Sequence, residues 1–302
     1  MPKSKPARPE TLALYYTQAS QLEQVAQLHA LIDSHQLPLR LEAAQINGKL
    51  NQKRRQQLSD ATAPSLLLDD NHKLSLMSAG LSVAPEWDKL QRRVVSAGRK
   101  SELLLQAAKI SAESMVIDAT AGFGHDSLIL ASSGAQVIML EQQPIMALLL
   151  LAEQQRMRMQ PNWQKLMARL HIINIDALNY LIAYQDKERH PQNTAVDVVY
   201  LDPMFPVDSY QDGKTGKGAK VGKQMQALHQ LAPPPTVLEA QQLLRQAQAF
   251  LSQSQQHPQT SANPQKSARV IVKRPKLAPF FAEQPPTDSW HNDALRFDGY
   301  FL

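Results

Sequence analysis

From residue 115 onward the chain alternates short apolar runs that fit strands with longer runs whose apolar residues recur at helical spacing. The pattern predicts strands at 114–119, 136–140, 170–175 and 195–201. It predicts helices from about Asp126 and from about Pro144, and a short one after residue 175. Repeated β-α-β of this kind argues for a parallel sheet with helices on both faces. Ligands of such sheets sit outside the carboxyl ends of the strands, where the strand order reverses. The residues that close each strand are therefore the ones to read for chemistry.

Those residues are acids. The first strand ends VIDATAGFGHD, with Asp118 near its carboxyl end. Gly122 and Gly124 let the backbone adopt positive φ and come close to a ligand. The helix that follows offers free N–H groups beside that turn. Ser127 stands where a dinucleotide fingerprint has its third glycine, so the G-x-G also reads as a purely structural turn. The second strand ends at Glu141, seventeen residues after Gly124. An acid there can accept hydrogen bonds from both ribose hydroxyls of an adenosine-bearing cofactor. Alternatively it is an acid at a helix N-terminus ahead of Pro144. Asp176 closes the third strand; it suits an adenine amine or an ordinary helix N-cap.

The fourth strand runs into VVYLDPMFP, residues 198–206. Asp202 can accept from a base amine, and Phe205 can stack on a planar base. Pro203, with its fixed φ, sets the angle between them. The competing reading is a proline-terminated strand with a buried phenylalanine.

The first third reads as a separate unit. A helix is predicted over 18–32, with Leu22, Val25, Ala26, Leu28 and Ile32 at helical spacing. A hairpin is predicted from runs at 65–68 and 74–77, with Asp69, Asp70 and Asn71 between them. Residues 90–110 join a basic, glycine-containing turn to an amphipathic helix starting near Ser101. The expected division is a smaller α+β domain over 1–95 and an α/β domain over 96–302.

Charge follows the same division. The whole chain carries 32 Lys+Arg against 27 Asp+Glu, and residues 1–100 hold 14 of the former and 9 of the latter, so the remainder balances. A basic appendage on a neutral body suits a polyanion such as nucleic acid, or is a solvated surface with a chance excess. Arg92, Arg93, Arg99 and Lys100 form one candidate phosphate track, and Lys273 and Arg274, at the end of a strand near Val270, another. Residues 207–223 read as a basic, glycine-rich loop, and 252–267 as a polar low-complexity loop.

Other classes are disfavoured. There are no cysteines, which removes disulfides, thiolate zinc sites and cysteine nucleophiles and fits a cytoplasmic protein. The nine histidines show no paired ligand spacing, so no metal site is expected. The longest apolar run, 145–152, is too short to cross a bilayer. The N-terminal MPKSKPARPE has no apolar segment directly behind it, so no secretory signal is expected.

VIDATAGFGHD, the acid of LEQQP, LDPMFP, the strand VIVKRP, the final RFDGYF and the turn RRVVSAGRKSE together resemble the small-subunit ribosomal RNA guanine-N2 methyltransferases of the RsmJ family. LDPMFP is similar to the D/N-P-P-aromatic signature of amine-directed methyltransferases, with Met204 in place of the second proline. The resemblance implies a Rossmann-like class I methyltransferase fold, S-adenosylmethionine as cofactor, and 16S ribosomal RNA or the small subunit as partner. It places cofactor contacts on His125 and Asp126, Glu141 and Gln142, Asp176 and Ala177, and Asp202, alongside Asp118 and the two glycines. Some relatives carry Arg where this chain has His125 and Gln142. The implied chemistry is methyl transfer to N2 of a guanosine, with Asp202, Pro203 and Phe205 at the acceptor base. The rivals are another RNA position or a DNA base as acceptor, a nicotinamide-dependent oxidoreductase, and a catalytically silent RNA-binding assembly factor. Ser127 weighs against the oxidoreductase.

Overall fold

The computed structural model describes residues 9–98, 100–184, 195–204, 234–255 and 268–302. Phe205, Arg99, the basic loop 207–223 and residues 256–267 of the polar loop lie outside the described residues.

The first third builds a five-stranded sheet in the order β2-β1-β3-β4-β5. Its strands are β1 (Glu10–Tyr16), β2 (Leu39–Gln45), β3 (Ser65–Leu68), β4 (Leu74–Ser78) and β5 (Leu81–Val83). β1 pairs in parallel with both β2 and β3, and β3-β4-β5 continue antiparallel. The expected hairpin is present, with Leu68 opposite Leu74. Helix α1 (Leu22–Ser34) crosses from β1 to β2, and its buried face is Val25, Leu28 and Ile32. A 3-10 turn precedes it because the buried Gln21 side chain accepts from the N–H groups of Thr17 and Gln18. That turn rotates Leu22 out of the expected core face, leaving it 54% exposed. Helix α2 (Gln52–Ser59) leads into β3.

After a 3-10 turn at Trp87–Leu90 come α3 (Gln91–Ser96) and α4 (Leu103–Ala108), and then the second sheet. Its units are β6 (Met115–Asp118), α5 (His125–Ser132), β7 (Gln136–Glu141), α6 (Pro144–Arg158), α7 (Gln164–Met167), β8 (Leu170–Asn174), α8 (Ala177–Ala183) and β9 (Val198–Leu201). They continue through α9 (Val237–Ser254), β10 (Arg269–Pro275), β11 (Asp288–His291) and β12 (Leu295–Phe301). The strand order is β11-β12-β10-β9-β6-β7-β8. β6 to β10 are parallel, while β12 runs antiparallel to both its neighbours. From β6 the chain moves outward one way through β7 and β8, then returns to β9 and β10 on the other side. The crevice between β6 and β9 is the switch point at which such sheets bind ligands.

Helix α6 shows why the two sheets meet. Ile145 through Leu151 are all buried, so the first two turns of the helix are apolar all round. It packs on β7 and β8 of one sheet and on β4 of the other, with α1 alongside. One apolar core consequently runs from Leu12 and Leu14 through Leu148 to Tyr200.

Trp87 ties the first third to the switch point. It is fully buried; its indole N–H donates to the Phe123 carbonyl at 2.7 Å, and its backbone N–H donates to Glu153 Oε1 at 3.0 Å. Its ring also lies where a side chain on Gly124 would go. A Cβ there would stand 2.9 Å from Trp87 Cζ2 and 2.8 Å from Met139 Cε, at a φ of +73°. Glycine is thus required twice, by conformation and by space. We expect Trp87→Ala to cost about 3–5 kcal/mol of stability in urea unfolding, the range for emptying a large core site. Gly124→Ala should also be destabilising. A Trp87→Ala midpoint unchanged from wild type would contradict this role.

Candidate active site

The turn after β6 is organised by its own polar groups. Asp118 is 1% exposed. Its Oδ2 accepts from the Ser127 hydroxyl and its Oδ1 from the Thr120 N–H at 3.2 Å. Ser127 therefore replaces the third glycine for a reason: it satisfies the buried acid that closes β6. Burial pushes the Asp118 carboxyl up to about 7, against those two donors. Thr120 in turn accepts from the N–H of Asp202 through its hydroxyl, so the ends of β6 and β9 are laced together. Both glycines of the turn have positive φ, +53° at Gly122 and +73° at Gly124.

Glu141 closes β7 beside this turn. Its Oε2 accepts from the Gly122 N–H at 3.2 Å and its Oε1 from the Gln143 N–H at 2.7 Å. It is 8% exposed, and burial pushes its carboxyl up to about 7 while the backbone donors pull the other way. Asn174, opposite it on β8, donates to the carbonyls of Glu141 and Gln142 and locks the two strand ends. The Gln142 side chain is exposed. Asp176 is the N-cap of α8, accepting from the Asn179 N–H at 2.9 Å, and Ala177 is the first residue of that helix; both are half-buried.

The centre of the site is an ion cluster. β10 lies beside β9 with Val272 opposite Leu201, so Lys273, still within β10, comes level with Asp202, which follows β9. The Lys273 Nζ donates to Asp202 Oδ2 at 2.9 Å and to Asp126 Oδ2 at 2.7 Å. Tyr200 also donates to Asp126 Oδ2, at 2.7 Å. Burial works to raise Asp126, but Lys273, Tyr200 and Arg93 hold its carboxyl below the usual range. Burial raises Asp202, with Lys273 opposing it. Lys273 resists its own burial because two carboxylates face it, and its pKa rises. Pro203 is buried directly behind Asp202.

His125 turns away from this cluster. Its Nε2 donates to the Pro85 carbonyl at 2.7 Å, its ring stacks on Phe123, and burial lowers its pKa. That leaves its backbone, at the first turn of α5, on the side of the site. The basic candidates separate into two kinds. Arg92 and Lys100 are exposed. Arg93 makes two 2.9 Å bonds to Glu102, and Arg274 donates to the Pro279 carbonyl at 3.1 and 3.0 Å. Lys273, expected on the RNA side, has its ammonium held by the two aspartates instead. Sequence reasoning missed Thr120, Tyr200 and Trp87 as parts of the site. It also missed the pairing of Lys273 with Asp202, which follows only once β10 is known to lie beside β9. Among the described residues no cluster of histidines and acids suits a metal, and no helix is long and apolar enough to cross a membrane.

A seven-stranded sheet of this order, with a glycine turn and acids at its switch point, defines a Rossmann-like S-adenosylmethionine-dependent methyltransferase. The SAM-dependent methyltransferase family model SAM_MT matches residues 43–302. A solved SAM-dependent methyltransferase from Neisseria gonorrhoeae superposes with a TM-score of 0.61 at 25% identity, covering 95% of each chain. The chain belongs to the ribosomal RNA small subunit methyltransferase J family. It is 66% identical to the member from Psychrobacter cryohalolentis over 96% of this chain and 95% of that one. It is 64% identical to that from Psychrobacter arcticus over 99% of both, and 39% identical to that from Acinetobacter baylyi over 76% of this chain and 77% of the relative.

The donor set suits the cofactor: a carboxylate fed only by backbone N–H groups, and two acids sharing one lysine beside it, favour a ribose and a cationic sulfonium. The raised Glu141 value has a consequence for stability. Between the ordinary 4.5 and about 7 the folded state keeps a proton that the unfolded state has lost. Folding stability therefore falls as pH rises through that window. We expect Glu141→Gln to lose less stability than wild type between pH 5 and pH 8 in urea titrations, while binding S-adenosylhomocysteine more weakly. Identical pH profiles for the two proteins would refute the assignment. Asp118, raised alike, keeps the slope from vanishing in the variant.

Proposed function

We propose that this methyltransferase acts on the exocyclic N2 of one guanosine in 16S ribosomal RNA. The carrying observation is Asp202: it stands at the carboxyl end of β9 with one oxygen on Lys273, and no hydrogen bond among the described residues engages its Oδ1. An acceptor beside a buried proline, followed by an aromatic, suits a planar base with an exocyclic amine. The names of its relatives in the ribosomal RNA small subunit methyltransferase J family support RNA as the substrate.

S-adenosylmethionine, when bound, supplies a methyl group already activated by its positive sulfur. The residues of the chain then have two tasks. The first is to hold the cofactor: Glu141 on the ribose hydroxyls, Asp176 and Ala177 at the adenine, and Gly122, Gly124, His125 and Asp126 through the turn and the first turn of α5, with Gln142 at the rim. Asp118 acts behind them by fixing the turn. The second is to align the amine, whose lone pair is delocalised into the purine. Asp202 and the Pro203 carbonyl accept its two hydrogens, which favours pyramidal nitrogen and stabilises the positive charge developing there. Phe205 stacks on the guanine.

The 1–95 unit contributes RNA contacts, leading into the exposed Arg92 and Lys100, with Arg99 between them in sequence. Such contacts make affinity fall steeply with salt. The chain works in the cytoplasm, where the small subunit is assembled.

The test is to methylate 16S RNA from cells that lack the protein and to map the product by mass spectrometry. A single N2-methylguanosine is expected, and Asp202→Asn should lower the rate about a hundredfold or more with the fold intact. Methyl on a different base would overturn the acceptor assignment. Cofactor binding without any turnover would favour an assembly factor.

A further inference from the structure

We propose that Lys273 is a positioning residue for methyl transfer: shared between Asp126 and Asp202, its ammonium holds Asp202 ionised, fixes one of its oxygens and leaves the other for the acceptor amine. The inference rests on the acceptor role proposed for Asp202.

The geometry carries it. Lys273 reaches both Oδ2 atoms, at 2.7 Å on Asp126 and 2.9 Å on Asp202, from a strand that lies beside the one bearing Asp202. Asp126 belongs to a different element, α5, and the Tyr200 hydroxyl holds it from β9. The lysine therefore cannot swing fully to either acid while the other is charged. Its side chain is 20% exposed and that of Asp202 25%, so the pair is neither sealed in the interior nor free in water. A lysine whose only task was to pin β10 to α5 would need one carboxylate; this one has two, and the second faces the base.

The charge count suits the reaction. Two carboxylates and one ammonium sum to one negative charge, which balances the single positive charge of the bound donor. Once the acceptor nitrogen carries the methyl group it is positive, and one of its protons passes to Asp202 Oδ1. Asp202 is then neutral, the remaining Asp126 and Lys273 cancel, and the donor has lost its charge. Among these three side chains and the donor, the charges sum to zero both before and after transfer.

Other ionisable groups act on the same cluster through their charge: Asp118 of β6 and Arg274 of β10 on Asp202, and Arg93 of α3 on Asp126. Tyr200 of β9 bonds Asp126, and His125 of α5, though turned to Pro85, feels the charge of Asp126. Asp126 raises Asp202 and Lys273 lowers it, so removing either shifts Asp202 in a predictable direction.

The experiment compares wild type, Lys273→Met, Lys273→Arg and Asp126→Asn. Two readouts are used: the acid limb of kcat/KM, which reports free-enzyme groups, and the titration of the Asp202 carboxyl carbon in protein labelled with carbon-13 aspartate, assigned by Asp202→Asn. Lys273→Met should move both upward by about one pH unit or more, the effect of losing a cation at contact. Asp126→Asn should move both downward, and Lys273→Arg should shift them less than Lys273→Met. If Lys273→Met does not fold, the opposite-signed Asp126→Asn result and the arginine variant decide. Unmoved titration in the variants, with only stability or turnover lost, would make Lys273 a structural pin and overturn the inference. A moved titration with an unmoved acid limb would show that Asp202 is not the acceptor, which sinks the proposed function and not the coupling.

Discussion

The structure is governed by the placement of four acids, Asp118, Asp126, Glu141 and Asp202, around one poorly solvated crevice. An ionised carboxylate withdrawn from water is costly unless donors replace the lost hydration. Each acid here has its own solution. Asp118 takes a hydroxyl and an N–H from its own turn, Glu141 takes two backbone N–H groups, and Asp126 and Asp202 divide one lysine. The glycines exist to make the first two solutions possible: without positive φ at Gly122 and Gly124 the turn would present its N–H groups elsewhere.

The first third of the chain is part of this arrangement. Trp87 donates to the carbonyl of Phe123 from inside the turn, and Pro85 accepts from the ring of His125. Together they press the glycine turn from outside the second sheet. Glu153 on α6 anchors the backbone of Trp87 and is itself held by Arg156 through two bonds, so the contact is braced from the far side. The segment that follows the N-terminal sheet thus packs directly on the glycine turn. His125 serves as a clamp to Pro85 and stacks on Phe123.

Much of this was legible in the sequence, for a physical reason. Parallel strands buried on both faces read as continuous apolar runs, so 136–140 and 170–175 fall within a residue of β7 and β8. The acids that end them stand out against those runs. What could not be read was lateral. β1 and β2 lack a continuous apolar run, and their exposed positions are a mixture of polar and small residues, so neither strand stands out without its partner. The strand at Val270 was visible, but its neighbour was not, and Lys273 therefore read as a candidate phosphate contact. Phe205 remains a reading of the sequence. Asp176 shows the opposite limit: the N-cap reading is realised in the structure, yet the same carboxylate stays half-exposed at the rim, so one residue fits both descriptions.

Strand order turns these separate signals into chemistry. β10 lies on β9, β9 on β6 and β6 on β7, so the residues that end those strands are neighbours although they are far apart in sequence. The same order puts α5, which follows β6, against the end of β9, and that is why Asp126 and Tyr200 meet. A lysine placed after β7 or β8 would stand near Glu141 or Asp176, away from Asp126 and Asp202. Placed on β10, level with the residue that follows β9, it reaches the Asp202 carboxylate. The position of Lys273 thus follows from the topology, and its charge answers the two carboxylates that the topology brings to it.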